Sequence, residues 1–598
     1  MDSKERFGLI MKRKKKYLLF LLMLLLLLIS TFGCSLSSKT TPTEDFNTFL
    51  DRVFTTEVQR DTITLNYSLA NPENYGITNP EITFGHYSKE DVEKALAASE
   101  NYLAILKQYD YNSLTEDQKL TYDILKKDLE LEASQGDFIY YSEGLGPTTG
   151  IQAQLPVLLA EYNFNKKEDI VSYLKLLPQV YDYFKEICEF EKDKSAAGLF
   201  MNDDVADSII DQCNEFIKDK DKNYLISIFN ERVSNFKGLT KEEIKSYKAE
   251  NKDAVLNSVI PAYELLVDTL TSLKGTGTNK EGLSHYEKGK EYYEYLLKNN
   301  TGSSRSIPEL KTMLENSLSS NMLKLSTIIG KNPGVYDKVM SLNYSLTDPS
   351  KIIKYLKGAI KKDFPPCPDV KYSIKYVDKS LEDHLSPAMY LIPPLDSYDN
   401  NIIYINENPD YDLSQIFTTI AHEGYPGHLY QSVYFRSLNP PAIRNLLNFG
   451  GYAEGWATYV EYYSYHLAGF SEDVADFLEA NMAANMALYC RLDMGIHYDG
   501  WSLADTAGYL KNYITDPNTI ELLYNTMIEE PALYPQYGIG YLEFMNLRDT
   551  AEKSLGNNFV LKDFHKFLLD IGPAQFDIIA GRMDNWIKEE QQAVKNSN

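Results

Sequence analysis

Two histidines and two glutamates stand where metal chemistry could be done. His422-Glu423-Gly424-Tyr425-Pro426-Gly427-His428 is followed by Gly451-Tyr452-Ala453-Glu454-Gly455-Trp456-Ala457. Imidazoles and carboxylates are the donors of a catalytic zinc, which takes three protein ligands and keeps one position for water. Zinc lowers the pKa of that water toward neutrality. The spacing departs from H-E-x-x-H, whose histidines lie four apart on one helix face. Here they lie six apart, and on a regular helix their rings would diverge by about 120°. Pro426, four after His422, has no N–H to give the His422 carbonyl. Gly427 tolerates unusual dihedrals. The sequence therefore predicts a helix that ends or bulges at Tyr425-Pro426-Gly427 and so returns His428 to the side of His422.

Glu423 follows the first imidazole directly and could serve as a general base, taking a proton from water and passing it to a leaving amine. Its bland alternative is an exposed helix acid. Glu454 sits in an apolar context, where a carboxylate needs a partner, and a metal would supply one. Glu461, seven residues on, shares its helix face and is the fallback ligand, or an acid that supports one. Asp493 and His497 are four apart and could orient one another. His497 could then bond a substrate carbonyl, or be a satisfied core histidine. Tyr537, in Tyr537-Gly538-Ile539-Gly540-Tyr541, could donate to an oxyanion, and Arg548 could grip a substrate carboxylate. A packed tyrosine and an ordinary salt bridge are the alternatives for these two. His466 reads as a surface residue, and His565 is undecided.

The elements that must position these groups are mostly helical. Apolar residues recur three and four apart from Phe46 to Phe54 and from Ile170 to Leu177, the period of a helix with one buried face. Pro261 starts or kinks a helix within Val255 to Leu273. Tyr140 to Gly150 is a glycine-rich loop without phosphate-loop spacing. Phe364-Pro365-Pro366-Cys367-Pro368 is an extended linker. After it, Val370–Val377, Ala388–Ile392 and Ile402–Asn406 read as strands, the last two around a turn at Asp396 to Asn401. An edge strand beside a zinc site can bind an extended peptide by main-chain pairing; a purely structural hairpin is the alternative. From Leu413 the chain is helical again.

Composition narrows the function. The chain has 598 residues, 43% hydrophobic and 13% aromatic, with a formal charge of −25. Such an acidic surface excludes nucleic acid as a partner. Lys12 to Lys16 followed by the apolar run Tyr17–Ile29 forms an export leader. Thr31-Phe32-Gly33-Cys34 then suggests lipidation at Cys34, with residues 34–44 as a tether; an uncleaved signal anchor is the alternative. Loss of residues 1–33, with seven bases and two acids, would take the formal charge from −25 to −30. The remaining Cys188, Cys213, Cys367 and Cys490 are far apart and lie near no candidate base, which argues against a thiol nucleophile and fits a large core needing no disulfides. The expected organisation is a signal peptide (1–33), a tether (34–44), a helical half (45–330) and a catalytic half (331–598).

The motifs together resemble the bacterial family called domain of unknown function 885. His422 to His428 resembles its H-E-x-x-P-G-H signature, and Glu454-Gly455-Trp456-Ala457 its E-G-W-A element. Asp493 with Gly495-Ile496-His497 and Gly500-Trp501 resembles a further block, although Arg491-Leu492 falls two residues late. Tyr537 to Gly540 with Arg548, Leu555-Gly556 and Phe564-His565 resembles its C-terminal block, with Tyr541 in place of the usual glutamine. That family is similar to gluzincin-type zinc peptidases. The resemblance implies a mainly α, deep-cleft metallopeptidase-like fold with a small β-sheet beside the active site. It implies one Zn2+ per chain on His422, His428 and Glu454, since a glutamate some 25 residues after the second histidine is the third ligand there. The function expected is a lipid-anchored, cell-surface hydrolase of short peptides, with Glu423 as base and Tyr537 or His497 on the oxyanion. The alternatives are a non-catalytic lipoprotein that binds peptides or a partner, and a zinc amidase acting on cell-wall peptides.

Overall fold

The computed structural model describes residues 44–597 apart from 278, 378, 380, 381, 383, 384 and 399. The leader and Cys34 lie outside the described residues. No described helix is long and apolar enough to cross a membrane. The chain is mainly α with one small sheet, as the residue patterns predict.

Local chemistry starts the helices. In α1 (Phe46–Val58) the Asp45 side chain accepts from the Asn47 and Thr48 amides, satisfying donors that have no partner inside the helix. The next helices used below are α2 (Lys89–Leu106) and α3 (Glu116–Ala133), the latter opened by a Thr115/Gln118 capping box. Lys241–Ala254 passes through one π turn, Val255–Val259, into Ile260–Leu273. Pro261 sits at the start of that last helix, where its missing N–H costs least. α4 (Ile307–Lys331) has its own capping box at Ser306 and Glu309.

Three strands follow: β1 (Lys371–Tyr376), β2 (Ala388–Leu391) and β3 (Asn400–Ile405). Their order is β1-β3-β2, with β1 parallel and β2 antiparallel to β3. Because side chains alternate along a strand, the sheet serves two cores. Ala388, Tyr390, Ile403 and Ile405 join one, and Met389, Leu391 and Tyr404 the other. Both faces are covered, which is why the β2 and β3 sequences are almost continuously apolar.

The region that carries the candidate site is built from α5 (Phe417–Glu423), α6 (His428–Ser437), α7 (Gly450–Ser464), α8 (Glu472–Met494) and α9 (Leu533–Leu555). The expected halves, 45–330 and 331–598, share their cores. Phe46 to Leu129 pack into the same cluster as Ile416 to Met583, and Leu310 to Leu318 of α4 pack with residues of α8 and α9.

Candidate metal centre

The segment between the two histidines is a break, not a bulge. α5 ends at Glu423 and α6 begins at His428. Between them the Tyr425–Pro426 peptide is cis. The Gly427 amide donates to the Ala421 carbonyl at 3.0 Å, and the Tyr430 amide to the Gly424 carbonyl at 3.1 Å. Trp456 of α7 donates its indole N–H to the Pro426 carbonyl at 2.9 Å. A Cβ on Gly427 would lie 1.7 Å from the His422 carbonyl oxygen, so only glycine permits this approach. The imidazoles of His422 and His428 end with ring centres 4.8 Å apart and planes at 78°.

α7 supplies the acids. Glu454 Oε2 is 3.4 Å from His422 Nε2 and 3.5 Å from His428 Nε2. Glu461 Oε2 lies at the other nitrogen of His422, 3.1 Å from Nδ1. Buried His422 Nε2 and Glu454 Oε2 take part in no hydrogen bond among the described residues. Glu423 is buried next to them, with an oxygen within 4.8 Å of donor nitrogens on both histidines. Its Oε2 accepts from the Tyr390 amide of β2 at 2.8 Å, so a strand edge holds the acid in place.

This donor set fits zinc. Ligands bonded at about 2.0–2.2 Å in a tetrahedron stand roughly 3.3–3.6 Å apart, and Glu454 stands at 3.4 and 3.5 Å from the two ring nitrogens. Orphaned buried nitrogens and oxygens demand a partner, and one cation satisfies both. The electrostatics agree. Burial opposes a charged His422 ring, yet Glu454 and Glu461 beside it, with Glu423, push it up to about 10. Burial likewise pushes against an ionised Glu454, but His428 and His422 hold it down at about 2. Carboxylates in excess over imidazoles thus draw positive charge into the pocket, as protons where no metal is present.

Tyr537 is buried within the field of this cluster. Burial raises its pKa well above the ordinary value, and Glu454 and Glu423 raise it further, so its phenol remains a donor. A close helix crossing brings it there. A Cβ on Gly455 of α7 would lie 2.4 Å from the Gly540 backbone of α9. The crossing brings Tyr537 within electrostatic reach of Glu454.

The other candidates are occupied elsewhere. His497 is buried, gives its Nε2–H to the Met527 carbonyl at 2.7 Å and accepts from the Leu283 amide at Nδ1 at 3.2 Å. Both nitrogens are used in the core. Asp493 does not orient it but accepts from Tyr293 and from the Ala532 amide. Arg548 donates to Glu552 at 2.8 Å and to the Tyr459 hydroxyl at 3.2 Å; eleven residues after Tyr537 on one helix, it stands roughly 16 Å along the axis. His565 completes that network, bonding Tyr459 at 2.9 Å and the Asp363 carbonyl at 2.6 Å. His466 pairs with Glu479 at 3.1 Å. The Tyr390 amide at Glu423 has no counterpart in the sequence, because a backbone donor leaves no residue signature.

A mainly helical protein with a buried His-His-Glu cluster and a neighbouring acid is thus the class that fold and site define. Within it, the chain belongs to the bacterial family of unknown function DUF885, whose pattern matches residues 73–583. It is similar to two solved bacterial chains, each named a candidate lipoprotein. One, from Colwellia psychrerythraea, is 18% identical with a TM-score of 0.79, covering 91% of this chain and 99% of that one. The other, from Shewanella oneidensis, is 17% identical with a TM-score of 0.62, covering 90% and 100%. These show a shared fold. A candidate oligoendopeptidase F from Bacillus anthracis overlaps at a TM-score of only 0.30 and 13% identity, covering 84% and 97%, too little to imply one. No curated protein matches the chain.

Proposed function

We propose that this protein is a zinc-dependent hydrolase of peptide bonds in short peptides. The observation that carries the reading is the orphaned pair His422 Nε2 and Glu454 Oε2, set with His428 at ligand spacing beside an acid that is not needed as a ligand. A structural zinc takes four protein ligands and has no use for an adjacent base. His422, His428 and Glu454 would hold the ion, which when bound supplies a Lewis acid for the substrate carbonyl and a water of lowered pKa.

Glu423 takes the proton from the attacking water and delivers it to the departing amine. Its Oε2 is held by the Tyr390 amide, which leaves the second oxygen for that exchange. Tyr537 donates to the carbonyl oxygen as negative charge develops there. The β2 edge that presents Tyr390 N–H beside Glu423 is placed to align an extended backbone. The family resemblance and the candidate-lipoprotein names of the two relatives support an exported protein lipid-anchored at Cys34, with its site outside the cytoplasm.

The test is metal content and cleavage of a mixed peptide library by the mature protein and by Glu423→Gln. One zinc in each, with cleavage reduced about 10²–10⁴-fold in the variant, is expected. A parent that takes up no zinc on reconstitution overturns the reading of His422 and His428. Zinc in both, with cleavage by neither, overturns the peptidase reading and leaves the metal site.

A further inference from the structure

A cavity of about 710 Å³ lies among α1, α2, α3 and the starts of α7 and α9. It reaches Gly450, one turn before Glu454 on α7, and Gln536, the neighbour of Tyr537 on α9. Its wall carries seven acidic residues against the three bases Arg60, Lys127 and Lys298, and Lys127 is already paired with Asp577. The same wall carries Glu57 of α1 with Asp128 and Glu132 of α3, close enough to act on one another. Arg60 acts on two of the three carboxylates, Glu57 and Glu132. Burial pushes Glu57 up to about 8 and raises Asp128 and Glu132 as well; Glu132 adds to the cost of Glu57, and both add to that of Asp128. Carboxylates gathered this way are expensive unless a cation arrives.

A second feature points the same way. Gln575 is only 4% exposed and lines the cavity. Its Nε2 donates to the Ile124 carbonyl, one turn before Asp128 on α3, while its Oε1 accepts nothing among the described residues. With seven acids against three bases on its wall, the space calls for a donor that is also positive. The space far exceeds a bare ion, and Leu96, Leu129, Tyr292 and Tyr295 give it apolar walls. Such walls suit the alkyl stem of a lysine or arginine, with the charged head at the acids.

We propose that this cavity seats a basic side chain of the substrate, its ammonium or guanidinium group among Glu57, Asp128 and Glu132, so that the enzyme selects lysine- or arginine-bearing peptides. The assignment rests on the peptidase reading of the metal centre.

The test uses full-length Glu423→Gln protein loaded with zinc, so that peptides bind without being consumed. Three peptides of equal length carry lysine, norleucine or glutamate at each position in turn. Calorimetry is expected to show at least tenfold tighter binding of the best lysine peptide than of its norleucine twin, a ratio that shrinks as salt rises. Adding Asp128→Asn and Glu132→Gln should bring the ratio toward one, with zinc content and circular dichroism confirming a folded protein. If that pair does not fold, Glu132→Gln alone and the salt series carry the test. A ratio of one or below in the unaltered cavity overturns the proposal, as does a ratio that survives both substitutions. The two readings fail separately. Charge-selective binding with no cleavage by the parent removes the peptidase activity and leaves the basic-group site; cleavage without charge preference does the reverse.

Discussion

Glu454 and Glu461 occupy one face of α7, seven residues apart, and spacing alone gives them equal claim to a metal. Their atoms separate the roles. Glu454 Oε2 stands between the Nε2 atoms of both histidines, whereas Glu461 Oε2 meets His422 Nδ1 at 3.1 Å. A carboxylate on the far nitrogen of a ligand histidine fixes its tautomer and its angle. On the proposed zinc reading, Glu461 is therefore a positioning residue. Glu461→Gln should keep a zinc site with affinity reduced about 10–100-fold, and Glu454→Gln should lose far more. Competition with a chromophoric chelator measures both. Equal losses would return Glu461 to the ligand set. Gly427 offers a different kind of check. A methyl group there meets the His422 carbonyl at 1.7 Å, so Gly427→Ala must open the break between α5 and α6. Zinc binding should fall with it while far-UV circular dichroism stays nearly unchanged.

The α7–α9 crossing is what turns separate motifs into one site. A Cβ on Gly455 of α7 would enter the Gly540 backbone of α9, and one on Gly540 would enter the Gly451 backbone. Overpacking of this kind typically costs about 1–3 kcal/mol. Gly455→Ala should lower the thermal midpoint and also weaken zinc binding, because it pushes Glu454 and Tyr537 apart. Gly581→Ala is the control. It lies in the terminal helix Phe576–Ser597 with nothing within 4 Å of its would-be Cβ, so alanine there should be neutral or stabilise by up to about 1 kcal/mol. A Gly455→Ala protein that melts and binds zinc like the Gly581→Ala control would show that the crossing has slack. The sequence shows glycines flanking Tyr537 and a close backbone approach; it does not show that the approaching backbone is the Glu454 helix, since that contact spans some 85 residues of chain. The same limit governs the sheet. Alternation reveals three strands, and the hairpin of β2 and β3 is local, but the parallel pairing of β1 with β3 depends on packing between two cores. His497 and Arg548 were legible as polar residues with helical neighbours. Their partners, the Met527 carbonyl and the Tyr459 hydroxyl, come from other elements, and those partners determine their use.

Acid should loosen the molecule from two places at once. His497 lies with the core of α4, α8 and the start of α9, and His565 with the core around α7 and the C-terminal helices. Both are buried and neutral. Burial holds His497 down at about 4 and His565 at about 3, against an ordinary value of 6.5. Between those values and 6.5 the unfolded chain binds protons that the folded chain refuses. Stability is therefore fully present above pH 6.5 and is lost as the pH falls toward 4 for His497 and 3 for His565. Between pH 7 and pH 5 each ring should cost about 2 kcal/mol. The acidic groups of the terminal cavity work in the opposite sense over the same range, because Glu57, raised to about 8, favours the folded state as it takes up its proton. The net slope is thus a contest between cores and cavity, and substitution separates them. His497→Gln should flatten the decline in thermal midpoint from pH 7 to pH 5, even though the variant is less stable at pH 7. Asp128→Asn with Glu132→Gln should steepen that decline, having removed groups that gain protons on folding. Matching pH profiles for the parent and His497→Gln, recorded by calorimetry at constant ionic strength, would mean that the ring is already protonated in the fold and that its two backbone partners do not hold it neutral.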